Sequence, residues 1–140
     1  MAFVQVVRRS MRPEEYTDLR FDWLKRCIYQ DKFEITDLYV RDARQIAENE
    51  YEESPEGVRP LHRGDLYYTP DGTLFFEAQV TVPEHLRHKE LWLSMWTASE
   101  VIVKVNGRYA GGIDPNRDRL PLPACDEDYH LHIQMEGYNR

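Results

Sequence analysis

The sequence predicts a mainly β protein, a two-sheet antiparallel β-sandwich preceded by one α-helix. Three observations carry that expectation. Apolar residues recur at helical spacing only between Arg12 and Ile28. From Gly64 onward, short apolar runs alternate at period two and are punctuated every 8–12 residues or so, the rhythm of an all-β segment. Asn106-Gly107 follows the β-branched run Val101–Val105, and Asn-Gly in that setting is the strongest short-range hairpin signal, because both turn residues must accept positive φ.

The helix comes first. Tyr16, Leu19, Trp23, Leu24, Cys27 and Ile28 trace one stripe on a 3.6-residue repeat. Pro13 suits the first turn, Glu14 and Glu15 sit at the positive end of the macrodipole, and Asp18, Arg20, Asp22 and Lys25 occupy the opposite face. Past Asp31, Phe33, Ile35, Asp37 and Tyr39 alternate with Glu34, Thr36, Leu38 and Val40, which reads as a strand. The stretch from Asp42 to Arg59 is acidic, with Glu48, Glu50, Glu52, Glu53 and Glu56 around Tyr51 and breaks at Pro55 and Gly57. It is expected to be a long surface connection, opening at most with a helical turn over Ala43–Ala47.

The remaining strands follow in order. Leu74, Phe76, Ala78, Val80 and Val82 share one face of a strand that Pro83 ends. Leu91, Leu93 and Met95 alternate with Trp92, Ser94 and Trp96. Val101, Val103 and Val105 alternate with Ile102 and Lys104 and lead into the hairpin, from which Arg108–Gly111 returns antiparallel. Leu120 and Leu122 mark a Pro-flanked strand, and Leu131, Ile133 and Met135 alternate with His130, His132, Gln134 and Glu136. A helical segment over residues 1–31 is expected to pack on a sandwich over residues 32–140, together making one domain. Arg140 follows closely on the last strand, which suggests a piece of a longer protein.

Composition narrows the function classes. The chain has 140 residues and is 41% hydrophobic, enough for one core and too short for two full domains. Its 18 basic and 25 acidic residues give a net charge of −7. Because the charges are interspersed, no basic surface for nucleic acid or acidic membrane is expected. No apolar run is long enough to span a bilayer. The run Ala2–Val7 precedes Arg8 and Arg9, the reverse of a secretory signal. Cys27 and Cys125 lie far apart and outside any metal-ligand spacing. A reducing, cytoplasmic setting is expected, with a single disulfide as the alternative.

Two segments carry a resemblance. They are RGDLYYTPDGTLFFEAQVTVP, from Arg63 to Pro83, and ELWLSMWTASEVIVKVNGRYAGGIDPNRDRLPL, from Glu90 to Leu122. The matching positions are Gly64-Asp65, Phe76, Val80, Val82-Pro83, Glu100, Val105-Asn106-Gly107, Gly112-Ile113-Asp114 and Asn116-Arg117. On these residues the chain resembles the N-terminal β-sandwich of α-mannosidases of glycoside hydrolase family 38, and its N-terminal helix is similar to the one that opens those enzymes. Val-Asn-Gly after a β-branched strand also occurs in galactose-binding-like jelly rolls of other glycosidases, and the resemblance implies that architecture. Tyr67 or Tyr68 stands where the family often has Trp. The resemblance further implies that catalysis, with its Asp and its zinc ion, belongs to a separate (β/α) domain, so no catalytic or metal residue is assigned to this chain.

Bland readings compete with chemical ones along the chain. Glu100 with Asp114 or Asp118 is a conceivable carboxylate pair, but no spacing brings the pair together, and Asp114-Pro115-Asn116 is more simply a turn capped by its own Asp. His130 and His132 share a strand face and, with Glu136, could ligate a metal, but equally spaced polar residues are expected on any exposed strand face, and a solvated face is the preferred reading. His85 and His88 read as loop polarity. No phosphate-cradling Gly-rich loop and no Gly-x-Ser-x-Gly elbow is present.

Aromatic faces bind sugars, so Trp92, Trp96 and Tyr109 are candidates for carbohydrate or for a domain interface. Glu100, Asn106, Asp114 and Arg117 are expected to gather near one end of the sandwich as a network or contact surface. The resulting expectation is a non-catalytic domain that packs on the catalytic domain of an α-mannosidase-like enzyme. An autonomous module binding mannose-containing glycans is the alternative, and self-association through the orphaned domain interface is a third.

Overall fold

The structure, a computed structural model, describes residues 13–28, 31–65, 70–124 and 127–138. It divides into two compact units, residues 1–34 and 35–140. The first contains helix α1 (Pro13–Ile28), on which Leu19 is half-buried while Phe21, Trp23 and Leu24 are exposed. No helix among the described residues is long and apolar enough to cross a membrane.

The second unit is mainly β and antiparallel, consistent with a sandwich. Its strands are β1 (Leu38–Ala47), β2 (Glu50–Glu53), β3 (Arg59–Pro60), β4 (Thr73–Thr81), β5 (Trp92–Ser94), β6 (Val101–Val105), β7 (Arg108–Ile113), β8 (Arg119–Pro121) and β9 (His130–Tyr138). A large sheet has the order β2-β1-β4-β9-β6-β7, with β3 also pairing with β1, and a small sheet pairs β5 with β8. The last strand, β9, is therefore central, inserted between β4 and β6.

Alternation along these strands builds the core. Leu74, Phe76, Ala78 and Val80 of β4, Leu131, Ile133 and Met135 of β9, and Val101, Val103 and Val105 of β6 all turn inward. Leu93 of β5, Leu120 of β8 and Leu86 of a 3-10 turn (Glu84–Leu86) join the same buried cluster, so the small sheet closes over the inner face of the large one. Full burial of side chains such as Ile113, Leu131 and Ile133 contributes roughly 1.5–3 kcal/mol each. The hairpin forms where the sequence places it, with φ of 50° at Asn106 and 76° at Gly107 and Val105 opposite Arg108.

Two expectations need correction. The alternating run from Phe33 enters the sheet only at Leu38, and Phe33 is exposed. More substantially, residues 42–59 are not a surface connection, and Ala43–Ala47 is not helical. Strand β1 runs to Ala47, turns at Glu48 and Asn49, where Asn49 has φ of 59°, and returns as β2, while β3 covers the rest of the same edge. Part of the acidic composition is balanced by arginines of β1 and β3. Arg41 Nη1 lies 2.7 Å from Glu53 Oε1, and Arg59 Nη2 lies 2.9 Å from Asp42 Oδ1. Val40 and Ala43 supply the burial.

Candidate functional site

The sequence-chosen residues fall into three places. Trp92 stands on the side of β5 opposite the buried Leu93, and Trp96, two residues past the end of that strand, is 82% exposed. The Trp92 indole donates to Glu90 Oε1 at 3.1 Å. Glu100, Asp114 and Arg117 lie at one end of the β6–β7 ladder, since Val101 pairs with Ile113.

Asn106 lies at the other end of β6, about 20 Å away at a strand rise of about 3.3 Å per residue. The structure therefore does not bring the four polar candidates together. Asn106 instead fastens the hairpin to β9: its N–H donates to the His132 carbonyl at 2.8 Å, and its Oδ1 accepts the His132 N–H at 2.8 Å.

Asp114 is a turn residue. Its Oδ1 accepts the backbone N–H groups of Asn116 at 2.8 Å and Arg117 at 3.0 Å, and Oδ2 accepts Arg117 Nε–H at 3.1 Å. The Asn116 N–H, ahead of the Arg117 contacts, holds its carboxyl below the usual range. An acceptor so fully committed closes its own loop.

A further place was not visible in the sequence. On the outer face of the large sheet is an open groove of about 290 Å³, walled by Tyr39 and Ile102 and floored by Phe75. Glu77, Gln134, Glu136, Lys104 and Arg41 supply its polar lining. Period-two alternation sends these side chains outward wherever Val40, Phe76, Ala78, Val103, Ile133 and Met135 point inward. That parity was legible; the cross-strand register that assembles the residues was not.

The groove is braced from one side. The Arg41 guanidinium carbon sits 4.2 Å from the Phe75 ring centroid while its Nη1 holds Glu53. Tyr51 meets the same ring edge-on at 5.1 Å between centroids, and its hydroxyl donates to Glu136 Oε1 at 2.9 Å. That bond, the largest cause, raises the Tyr51 phenol above its ordinary value, and the neighbouring Asp37 carboxylate does the same to Tyr39.

Beyond the groove, His132 Nε2 lies 2.5 Å from Glu77 Oε1 and His130 Nε2 lies 2.7 Å from Gln79 Oε1. Both histidines reach diagonally to β4 rather than towards each other. Among the described residues no group of three His, Cys, Asp or Glu side chains is placed to hold a metal ion. Tyr67, Tyr68 and Cys125 lie outside the described residues, as does the Cys27 side chain.

No family model matches the chain, and no curated protein or solved structure matches it either.

Proposed function

We propose that this chain is a non-catalytic β-sandwich module of a glycoside hydrolase, of the kind its resemblance to family 38 α-mannosidases implies, which docks on a catalytic domain through the exposed Trp92 of β5 and Trp96 just beyond it. One observation supports the reading above others. The inner side of β5 already closes the core through Leu93, so the exposed Trp96 indole is apolar area that the module's own fold does not use. Large exposed aromatic side chains of this kind are enriched where another surface covers them.

The test is association in trans. The purified chain is mixed with the catalytic domain of a family 38 α-mannosidase that lacks its own N-terminal sandwich, and complex formation is followed by sedimentation. A complex weakened at least about tenfold by the Trp92→Ala/Trp96→Ala double variant supports docking through this face. No association, or association indifferent to both substitutions, overturns it.

A second reading is that the module binds sugar. It is favoured by the outer groove, where apolar rings stand beside both hydrogen-bond donors and acceptors.

A further inference from the structure

We infer that a neutral oligosaccharide binds across the strands of the large sheet, along a single cross-strand row that begins at Tyr39 and ends at Tyr109. This rests on the second reading, sugar binding, and assigns its site and ligand class. It does not depend on docking through Trp92 and Trp96.

The row follows from register. Tyr39 of β1 is opposite Glu77 of β4, Glu77 is opposite Gln134 of β9, Gln134 is opposite Lys104 of β6, and Lys104 is opposite Tyr109 of β7. Directly opposite residues in antiparallel strands share a face, so all five side chains stand on the outer one. Five strands at about 4.8 Å spacing make the row about 19 Å long, the reach of a short oligosaccharide. Tyrosines occupy both ends, with a carboxylate, an amide and an ammonium between them.

Tyr109 is in this row because of a β-bulge. Residues Ile113 and Gly111 of β7 pair with the inward Val101 and Val103, so uninterrupted alternation would turn Tyr109 inward as well. Instead the register shifts between Val103 and Lys104, leaving Ala110 unpaired and bringing Tyr109 opposite the outward Lys104. Tyr109 is accordingly 70% exposed. A backbone irregularity that re-aims one aromatic side chain onto an otherwise regular face is an observation separate from the groove, and it completes the platform at the end that the groove does not reach.

The chemistry of the row selects the ligand. Glu77 and Lys104 cancel in charge, which disfavours both acidic and basic polymers. Gln134 offers a donor and an acceptor, Lys104 donates, and Glu77 engages His132 through Oε1. Of the flanking groups, Arg41 is held by Glu53 and Glu136 by the Tyr51 hydroxyl, so both brace the floor. The backbone amides beneath are consumed in the β1-β4-β9-β6-β7 ladder, so an added peptide strand has nothing to pair with on this face. A chain of neutral sugar rings, with apolar C–H faces for the tyrosines and hydroxyls for the three polar side chains, satisfies both parts of the row.

The experiment is calorimetric titration of the full chain with manno-, cello-, xylo- and malto-oligosaccharides from one to six units, and with polygalacturonate. The account expects at least one neutral series to bind, with affinity rising from the monosaccharide to about four units as the second tyrosine is reached. Tyr39→Ala and Tyr109→Ala should each weaken binding about tenfold, and Trp92→Ala/Trp96→Ala should leave it unchanged. Thermal melts of the variants check that they remain folded. Sugar binding lost with the tryptophans but not with the tyrosines overturns this site and leaves the sugar-binding reading standing. Binding of polygalacturonate alone overturns the neutral assignment, and no binding to any sugar overturns both.

Discussion

Tyr51 on β2 donates its hydroxyl proton to Glu136 on β9 at 2.9 Å, although β1 and β4 lie between those strands in the sheet. The reach is possible because β1 presents the small side chain of Ala43 on this face between Arg41 and Gln45. The ring then meets Phe75 of β4 edge-on. One side chain from the edge of the sheet thereby ties it to the central strand, and it does so beside the groove.

Removing that hydroxyl isolates its contribution. Tyr51→Phe keeps the ring contact and is expected to lower stability by about 1 kcal/mol, the ordinary worth of a part-buried hydrogen bond. The bond raises the phenol's folded pKa above its unfolded value. Its stabilisation is therefore complete below the unfolded value and is lost as pH rises through the folded one. Urea denaturation at neutral and alkaline pH should show the wild-type advantage shrinking with pH, with Tyr39→Phe as the control for the other raised phenol.

The linkage reverses for Asp114. Its folded pKa is depressed, first by the Asn116 N–H, so the stabilisation is present above the unfolded value and is lost as pH falls through the folded one. Asp114→Asn should be less stable than wild type at neutral pH, and the gap should close on acidification. A gap independent of pH would mean that the turn does not depend on the ionised carboxylate.

How much of this was legible varied with how local the cause was. The Asn106-Gly107 turn, the helix over Pro13–Ile28 and the inward set Leu131, Ile133 and Met135 are written in neighbouring residues, and the structure contains each. The β1–β2 hairpin was hidden because its Arg41–Glu53 pairing crosses a turn in a stretch whose composition resembles a solvated loop. The separation of Glu100 from Asn106 follows from the length of β6 once its bounds are known. The outer row needed five strands in register and one bulge, and single-chain periodicity specifies neither.

Gly111 shows what lets the two sheets meet. Its φ is 151°, and a Cβ there would come 2.4 Å from Leu120 Cδ1 in the core. Gly111→Ala is expected to destabilise by about 1–3 kcal/mol through overpacking and backbone strain. Gly112→Ala, where a Cβ meets only the Val101 carbonyl at 3.5 Å, should cost much less. Comparable losses at the two positions in a denaturation experiment would contradict the close approach of β7 to β8.

Leu93 of β5 and Trp96 just beyond it should differ just as sharply. Leu93→Ala is expected to cost about 2–5 kcal/mol because it opens a cavity in the closed core. Trp96→Ala should stay within about 0.5 kcal/mol of wild type, since its indole is mostly exposed. A large loss at Trp96 would show that the indole serves this fold and is not spare surface for a partner.

The most direct test of the sugar platform is residue-resolved NMR of the labelled chain titrated with a neutral oligosaccharide that binds it. The account predicts shifts concentrated on Tyr39, Glu77, Gln134, Lys104 and Tyr109, with the indole signals of Trp92 and Trp96 unmoved. Shifts confined to the two indoles, with the outer row unchanged, would contradict it.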